Sequence, residues 1–102
     1  MSFDKRFHRL FPSDLATATA YYDKISVNLG DRLRDSVRDK IRTIVDRPES
    51  FGLVRSPFRA AMIGGFPYLI LFKVEGTTVL FAGLYHASSD PDRWLDRNPI
   101  DG

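Results

Sequence analysis

At 102 residues the chain is long enough for one domain with one core and too short for two. Its 43% hydrophobic content, with eight Phe, four Tyr and one Trp, is ordinary for a globular protein, and the lack of cysteine excludes disulfides and thiolate-held metals. The net charge of +2 divides into +3 over residues 1–47 (ten Lys/Arg, seven Asp/Glu) and −1 over residues 48–102 (five and six), too little surplus for a dedicated duplex-DNA binder.

No apolar run approaches the roughly 20 residues that span a bilayer. The N-terminal run Met1-Ser2-Phe3-Asp4-Lys5-Arg6-Phe7-His8-Arg9 has no apolar signal core. These features predict a soluble, cytoplasmic protein made of a single domain over 1–102.

Residues 3–11 are expected to form a short first strand, stopped by Pro12. Ser13 then stands where a helix N-cap is wanted, and Leu15, Ala18, Tyr22 and Ile25 follow the 3-4-3 spacing of one apolar helix face. Asn28 and Gly30 mark a break before a second helix from about Leu29 to Asp46. Its apolar arc is Leu29, Leu33, Val37, Ile41, Ile44 and Val45. Asp31, Asp35 and Asp39 lie three residues ahead of Arg34, Arg38 and Arg42, a pattern of i,i+3 ion pairs on a solvated face. Pro48 stops this helix.

After a loop with Gly52 and Pro57, the pattern turns to β. Phe58–Ile63 reads as a strand, and Gly64-Gly65 as turn material. The nearly unbroken apolar run Phe66–Val74 reads as a strand covered on both faces. Glu75-Gly76 suits a tight hairpin into a third strand, Thr78–His86. Asp90 caps a short terminal turn opened by Pro91 and carrying Arg93, Trp94 and Arg97. The order β-α-α-β-β-β predicts an α+β fold, two N-terminal helices packed on a small antiparallel sheet.

Little in the chain suggests chemistry. The two histidines, His8 and His86, lie far apart with no helical partner, so no metal site is expected, and no cofactor motif is present. Gly64-Gly65 lacks the Lys-Ser/Thr of a phosphate loop, and there is no Gly-x-Ser-x-Gly elbow. His86 at a strand end is either a general acid or base, or a ring tying the last strand to the terminal turn. Arg59, on a mostly apolar strand, either binds a phosphate or partner carboxylate or pairs across the sheet. Trp94 either anchors an interface or stacks on a base, or it covers an open sheet edge. Asp90, Asp92 and Asp96 locally offset Arg93 and Arg97.

Several of these residues share an order with a known group. Tyr21-Tyr22, Leu29-Gly30, Pro48, Arg59-Ala60-Ala61, Phe66-Pro67-Tyr68, His86 and Asp90-Pro91…Trp94…Arg97 resemble the ParE/RelE toxin superfamily, closest to its plasmid-stabilisation ParE-like branch. The resemblance spans about residues 15–97 and implies a β-α-α-β-β-β fold. It further implies the toxin of a type II toxin–antitoxin module, bound by a cognate antitoxin. ParE-like members inhibit DNA gyrase by binding, and RelE-like members cleave mRNA on the ribosome.

Two departures bear on that choice. Ser89 precedes Asp90-Pro91, where the branch carries arginine, and Tyr68-Leu69-Ile70 and Ala87-Ser88-Ser89 lack the cations of the nucleases. The reading is a ParE-like gyrase inhibitor whose target-contacting residues are Arg59, Arg93, Trp94 and Arg97. The alternatives are a ribosome-dependent mRNA endonuclease using His86 and Arg59, or a diverged, non-toxic relative.

Overall fold

The computed structural model describes residues 2–97. A short strand β1 (Asp4–Phe7) leads into two long helices, α1 (Phe11–Ile25) and α2 (Val27–Asp46). A single 3₁₀ turn (Pro48–Ser50) precedes four strands, β2 (Leu53–Arg55), β3 (Phe58–Met62), β4 (Tyr68–Glu75) and β5 (Thr78–His86). One helical turn, α3 (Asp92–Leu95), closes the described chain.

Helix α1 starts two residues before Ser13. Pro12 sits in its first turn, where a missing N–H costs nothing, instead of ending the preceding strand. No side chain of the cap residue Leu10 bonds to the turn; the His8 ring accepts the Leu10 N–H at 3.1 Å and shapes the entry. The break between the helices is one residue, Ser26, in extended conformation. Its N–H donates to the Tyr22 carbonyl, ending α1, and its hydroxyl accepts from the Asn28 N–H at 3.2 Å, starting α2. Asn28 and Gly30 therefore lie inside α2. Gly30 is buried there because Asp23 of α1 occupies the space a Cβ would need.

The expected acidic and basic rows on α2 form pairs at 3.0 Å (Asp31–Arg34), 3.1 Å (Asp35–Arg38) and 3.4 Å (Asp39–Arg42). Arg34 also reaches Asp23 at 2.7 Å, joining the two helices. The Asp23 hydrogen bond holds the Arg34 guanidinium charged beyond its ordinary range.

The sheet order is β1-β5-β4-β3-β2. The β3–β4 and β4–β5 pairs are antiparallel, as expected; β2 adds an antiparallel pair to β3, and β1 a parallel pair to β5, Asp4↔Thr78 through Phe7↔Phe81. Strand β2 was not visible in the sequence pattern. Its three side chains are all exposed, so it carries no alternation to read.

β4 and β5 are buried on both faces, which explains their continuous apolar runs. On one face Ile70, Phe72, Val79, Phe81 and Leu84 pack with Leu33, Val37 and Ile44 of α2. On the other, Phe58, Leu71, Ala82 and Tyr85 pack under Trp94 and Leu95. A register shift at Leu71/Phe72, opposite Ala82-Gly83, bends the central pair. Gly76, at φ +59°, makes the β4–β5 turn, where a Cβ would be strained.

Candidate functional site

β1 ends at Phe7, opposite Phe81, and the His8 N–H makes a last bond to the Phe81 carbonyl at 2.8 Å. Beyond that point β5 has no strand on its outer side. Two side chains take over the edge. The Arg97 Nη1 donates to the Ala82 carbonyl at 3.0 Å, and the Leu84 N–H donates to the Asp14 Oδ2 at 3.1 Å. Backbone groups that a sixth strand would satisfy are thus met by an arginine and an aspartate.

Asp14 and Arg97 are also joined to each other. Arg97 donates from Nη1 to Oδ2 at 2.6 Å and from Nη2 to Oδ1 at 3.1 Å, a two-pronged pair whose side chains are 12% and 14% exposed, aspartate first. The Trp94 Nε1–H adds a third donor to Oδ2 at 3.2 Å. Gly83 sits directly beneath: an added Cβ there would meet the Trp94 ring, Arg97 Nη1 and Asp14 Oδ2. The partner of Arg97 is therefore a residue 83 positions away, and the local acids at 90, 92 and 96 are not its anchor. Asp92 pairs instead with Arg55 of β2 at 2.8 Å, and Asp90 accepts from the Asp92 N–H at 3.0 Å.

A cleft of about 400 Å³ opens beside this cluster, between α1, the ends of β4 and β5, and α3. Four sequence candidates meet there: His86, Arg93, Trp94 and Arg97. Trp94 is buried, its ring 5.3 Å from that of Tyr85. The exposed Arg93 lies over the Trp94 ring at 4.9 Å.

His86 stands edge-on to Tyr68, its cross-strand partner, with ring centroids 5.2 Å apart. Its Nδ1 accepts from the Ser88 N–H at 3.0 Å and lies 2.8 Å from the Ser88 Oγ. With the Ser88 N–H donating to it, Nδ1 acts as an acceptor, which leaves Nε2 as the ring's donor. Burial, with Tyr22 and Tyr21 nearby, pushes the Tyr68 hydroxyl above the ordinary tyrosine range.

Arg59 is elsewhere. It pairs with Phe72 on β4, whereas His86 pairs with Tyr68, four residues away. That is about 13 Å along the strand, plus two strand spacings of about 4.8 Å between β3 and β5. The Arg59 Nη1 donates to the Phe51 carbonyl at 2.6 Å, anchoring the loop before β2. The structure does not bring Arg59 and His86 together.

Asp14, Tyr68 and Ser88 complete this site; Tyr68 and Ser88 stand in the sequence only as positions of the resemblance and its departures, and Asp14 carries no signal there. Asp14 reads as an ordinary acid in a first helical turn, and no local pattern connects it to residue 97. Among the described residues, no group of three or more His or acidic side chains is placed to hold a metal ion, and no helix is long and apolar enough to cross a membrane.

A second concavity, about 610 Å³, lies between β1, α1 and α2. Its floor is apolar, with Phe7, Phe11, Leu15, Val37, Ile41 and Val45, and Lys5, Arg34, Arg38 and Arg42 line its rim.

Two solved structures have a fold similar to this one. The chain is similar to a structure described as the chromosomal ParDE TA system from P. aeruginosa, at TM-score 0.74 and 12% identity, over 85% of this chain and 98% of that one. It is likewise similar to a mutant of E. coli toxin RelE in the free state, at TM-score 0.72 and 14% identity, over 96% of this chain and 99% of that one. No family model matches the chain, and no curated protein matches it. The fold expected from the resemblance to this superfamily is the one observed.

Proposed function

We propose that this chain is the toxin of a type II toxin–antitoxin module, working in the cytoplasm as a ParE-like inhibitor that binds DNA gyrase. The observation that carries the toxin reading is a fold shared nearly end to end with the ParDE and RelE structures. Binding is favoured over cleavage because Arg59 and His86 stand apart and Arg59 is spent on a backbone carbonyl. Trp94 and Arg97 are held by Asp14, so of the four expected target contacts Arg93 is the one whose side chain is presented outward.

The cognate antitoxin fits the groove between β1, α1 and α2. An amphipathic helix would lay its apolar stripe on Phe11, Leu15 and Ile41 and bring acidic residues to Lys5, Arg38 and Arg42.

Inducing the chain in a bacterium tests the reading. Growth arrest with a DNA-damage response and intact mRNA is expected. Arrest with mRNA cleavage would replace gyrase by the ribosome as target, and normal growth would mark a diverged, non-toxic relative.

A further inference from the structure

The cleft beside His86 is lined by hydrogen-bond donors and by no available carboxylate. Asp14 is the one carboxylate among its described lining residues, and both its oxygens are taken by Arg97, Trp94 and the Leu84 N–H. What remains is a ring of donors from three elements. The Tyr68 hydroxyl on β4 has no hydrogen-bond partner among the described residues. The His86 Nε2–H on β5 is left over once Ser88 has taken Nδ1. The Arg93 guanidinium on α3 has no acidic partner among the described residues and is steadied only by stacking on Trp94.

We propose that this cleft is a binding site for the phosphate group of a small phosphate monoester, held by Arg93, the His86 Nε2–H and the Tyr68 hydroxyl. Tyr68 and His86 are side by side on the sheet and Arg93 comes from α3, so one cleft is lined by donors from three elements. A tetrahedral phosphate offers oxygens out of any one plane to donors from separate elements, whereas a carboxylate presents its acceptor sites in a single plane. The Tyr68 hydroxyl keeps its proton past the usual range, so it stays a donor at neutral pH. A volume of about 400 Å³ leaves room for the organic group that the phosphate carries. The site stands on its own geometry and does not depend on the toxin reading.

The test is titration of the purified full-length chain at low salt with inorganic phosphate, adenosine monophosphate and ribose phosphate. Acetate serves as the carboxylate control. Trp94, the single tryptophan, reports by fluorescence, and the His86 ring by NMR. Saturable binding is expected, weakened about tenfold or more by Arg93→Ala and several-fold by Tyr68→Phe. Arg32→Ala removes an equal charge from the exposed side of α2 and is expected to leave binding unchanged. Far-UV circular dichroism verifies that each variant folds. Tighter binding of the nucleotide than of ribose phosphate would assign the carrier as a nucleoside, and the reverse a sugar. No saturable change, equal losses in Arg93→Ala and Arg32→Ala, or acetate binding as tightly as phosphate would each overturn the proposal.

Discussion

Asp14→Ala is the most informative perturbation. It leaves the Arg97 guanidinium, 14% exposed, without its carboxylate, and strips the acceptor from both Trp94 Nε1 and the Leu84 N–H. Removing one partner of a buried pair costs about 3–5 kcal/mol. Because this pair is slightly exposed and Arg97 keeps the Ala82 carbonyl at 3.0 Å, the lower part of that range applies, about 3 kcal/mol. A chain of this size has about 5–15 kcal/mol in all, so the loss is a large fraction of its stability. With a urea dependence of about 1–2 kcal/mol per molar, the midpoint falls by roughly 2 M.

Urea titration followed in parallel by circular dichroism and Trp94 fluorescence measures this loss. The native emission of the variant should also shift to the red as α3 loosens and the indole meets water. Asp14→Asn, which keeps a carbonyl acceptor, should lose about half as much. In the Asp14→Ala background, Arg97→Ala should cost under about 1 kcal/mol, because the two act as one unit. A loss of under about 1 kcal/mol for Asp14→Ala, the size of an exposed ion pair, with unshifted emission would refute the claim that this pair holds the terminal turn.

Other outcomes follow from the same structure. Gly83→Ala would drive a methyl into the Trp94 ring and to 2.7 Å from both Arg97 Nη1 and Asp14 Oδ2, at a cost of about 1–3 kcal/mol by the same urea assay. Ile44→Ala, at a site with no exposure, should lose about 2–5 kcal/mol through the cavity it leaves, read as a lower thermal midpoint. Asp35→Ala breaks an ion pair whose partners are 66% and 67% exposed, so the thermal midpoint should barely move and salt should erase the difference. Burial raises the Tyr85 and Tyr68 hydroxyls in the folded state, so the unfolded chain loses these protons first. Their contribution is whole below about pH 10 and is lost as pH rises through the folded values. Tyr85→Phe should therefore flatten the alkaline fall in thermal midpoint, and an unchanged slope would count against this account.

Much of the fold was legible because it rests on local pattern. The α2 arc, its three ion pairs, the continuous runs of β4 and β5 and the turn at Gly76 each carry a periodicity or a residue type with one reading. Boundaries failed where a neighbour overrode local signals. Pro12 and Ser13 looked like a stop and a cap, yet the His8 ring opens α1 earlier, and Gly30 looked like a break because the Asp23 side chain that fills its space lies on another helix.

The site was half legible. His86, Arg93, Trp94 and Arg97 do share one cleft. The acid that organises it, Asp14, is 83 residues from Arg97, and sequence spacing holds no record of a contact made only by tertiary folding. Arg59 and His86 each stand out as a polar group on an apolar strand, but their registers hold them apart.

The parallel edge pair also sets when the molecule is finished. Residue 4 is the first of β1 and its partner is residue 78, a separation of 74 positions (78 − 4), and Asp14 waits longer still, for Arg97. During synthesis the N-terminal strand and helical hairpin emerge with their sheet still inside the ribosome, and such distant pairings close late because loop entropy must be overcome first. A growing chain therefore holds no completed groove before β5 has been made to seat β1, and no completed cleft before Arg97 has been made to meet Asp14.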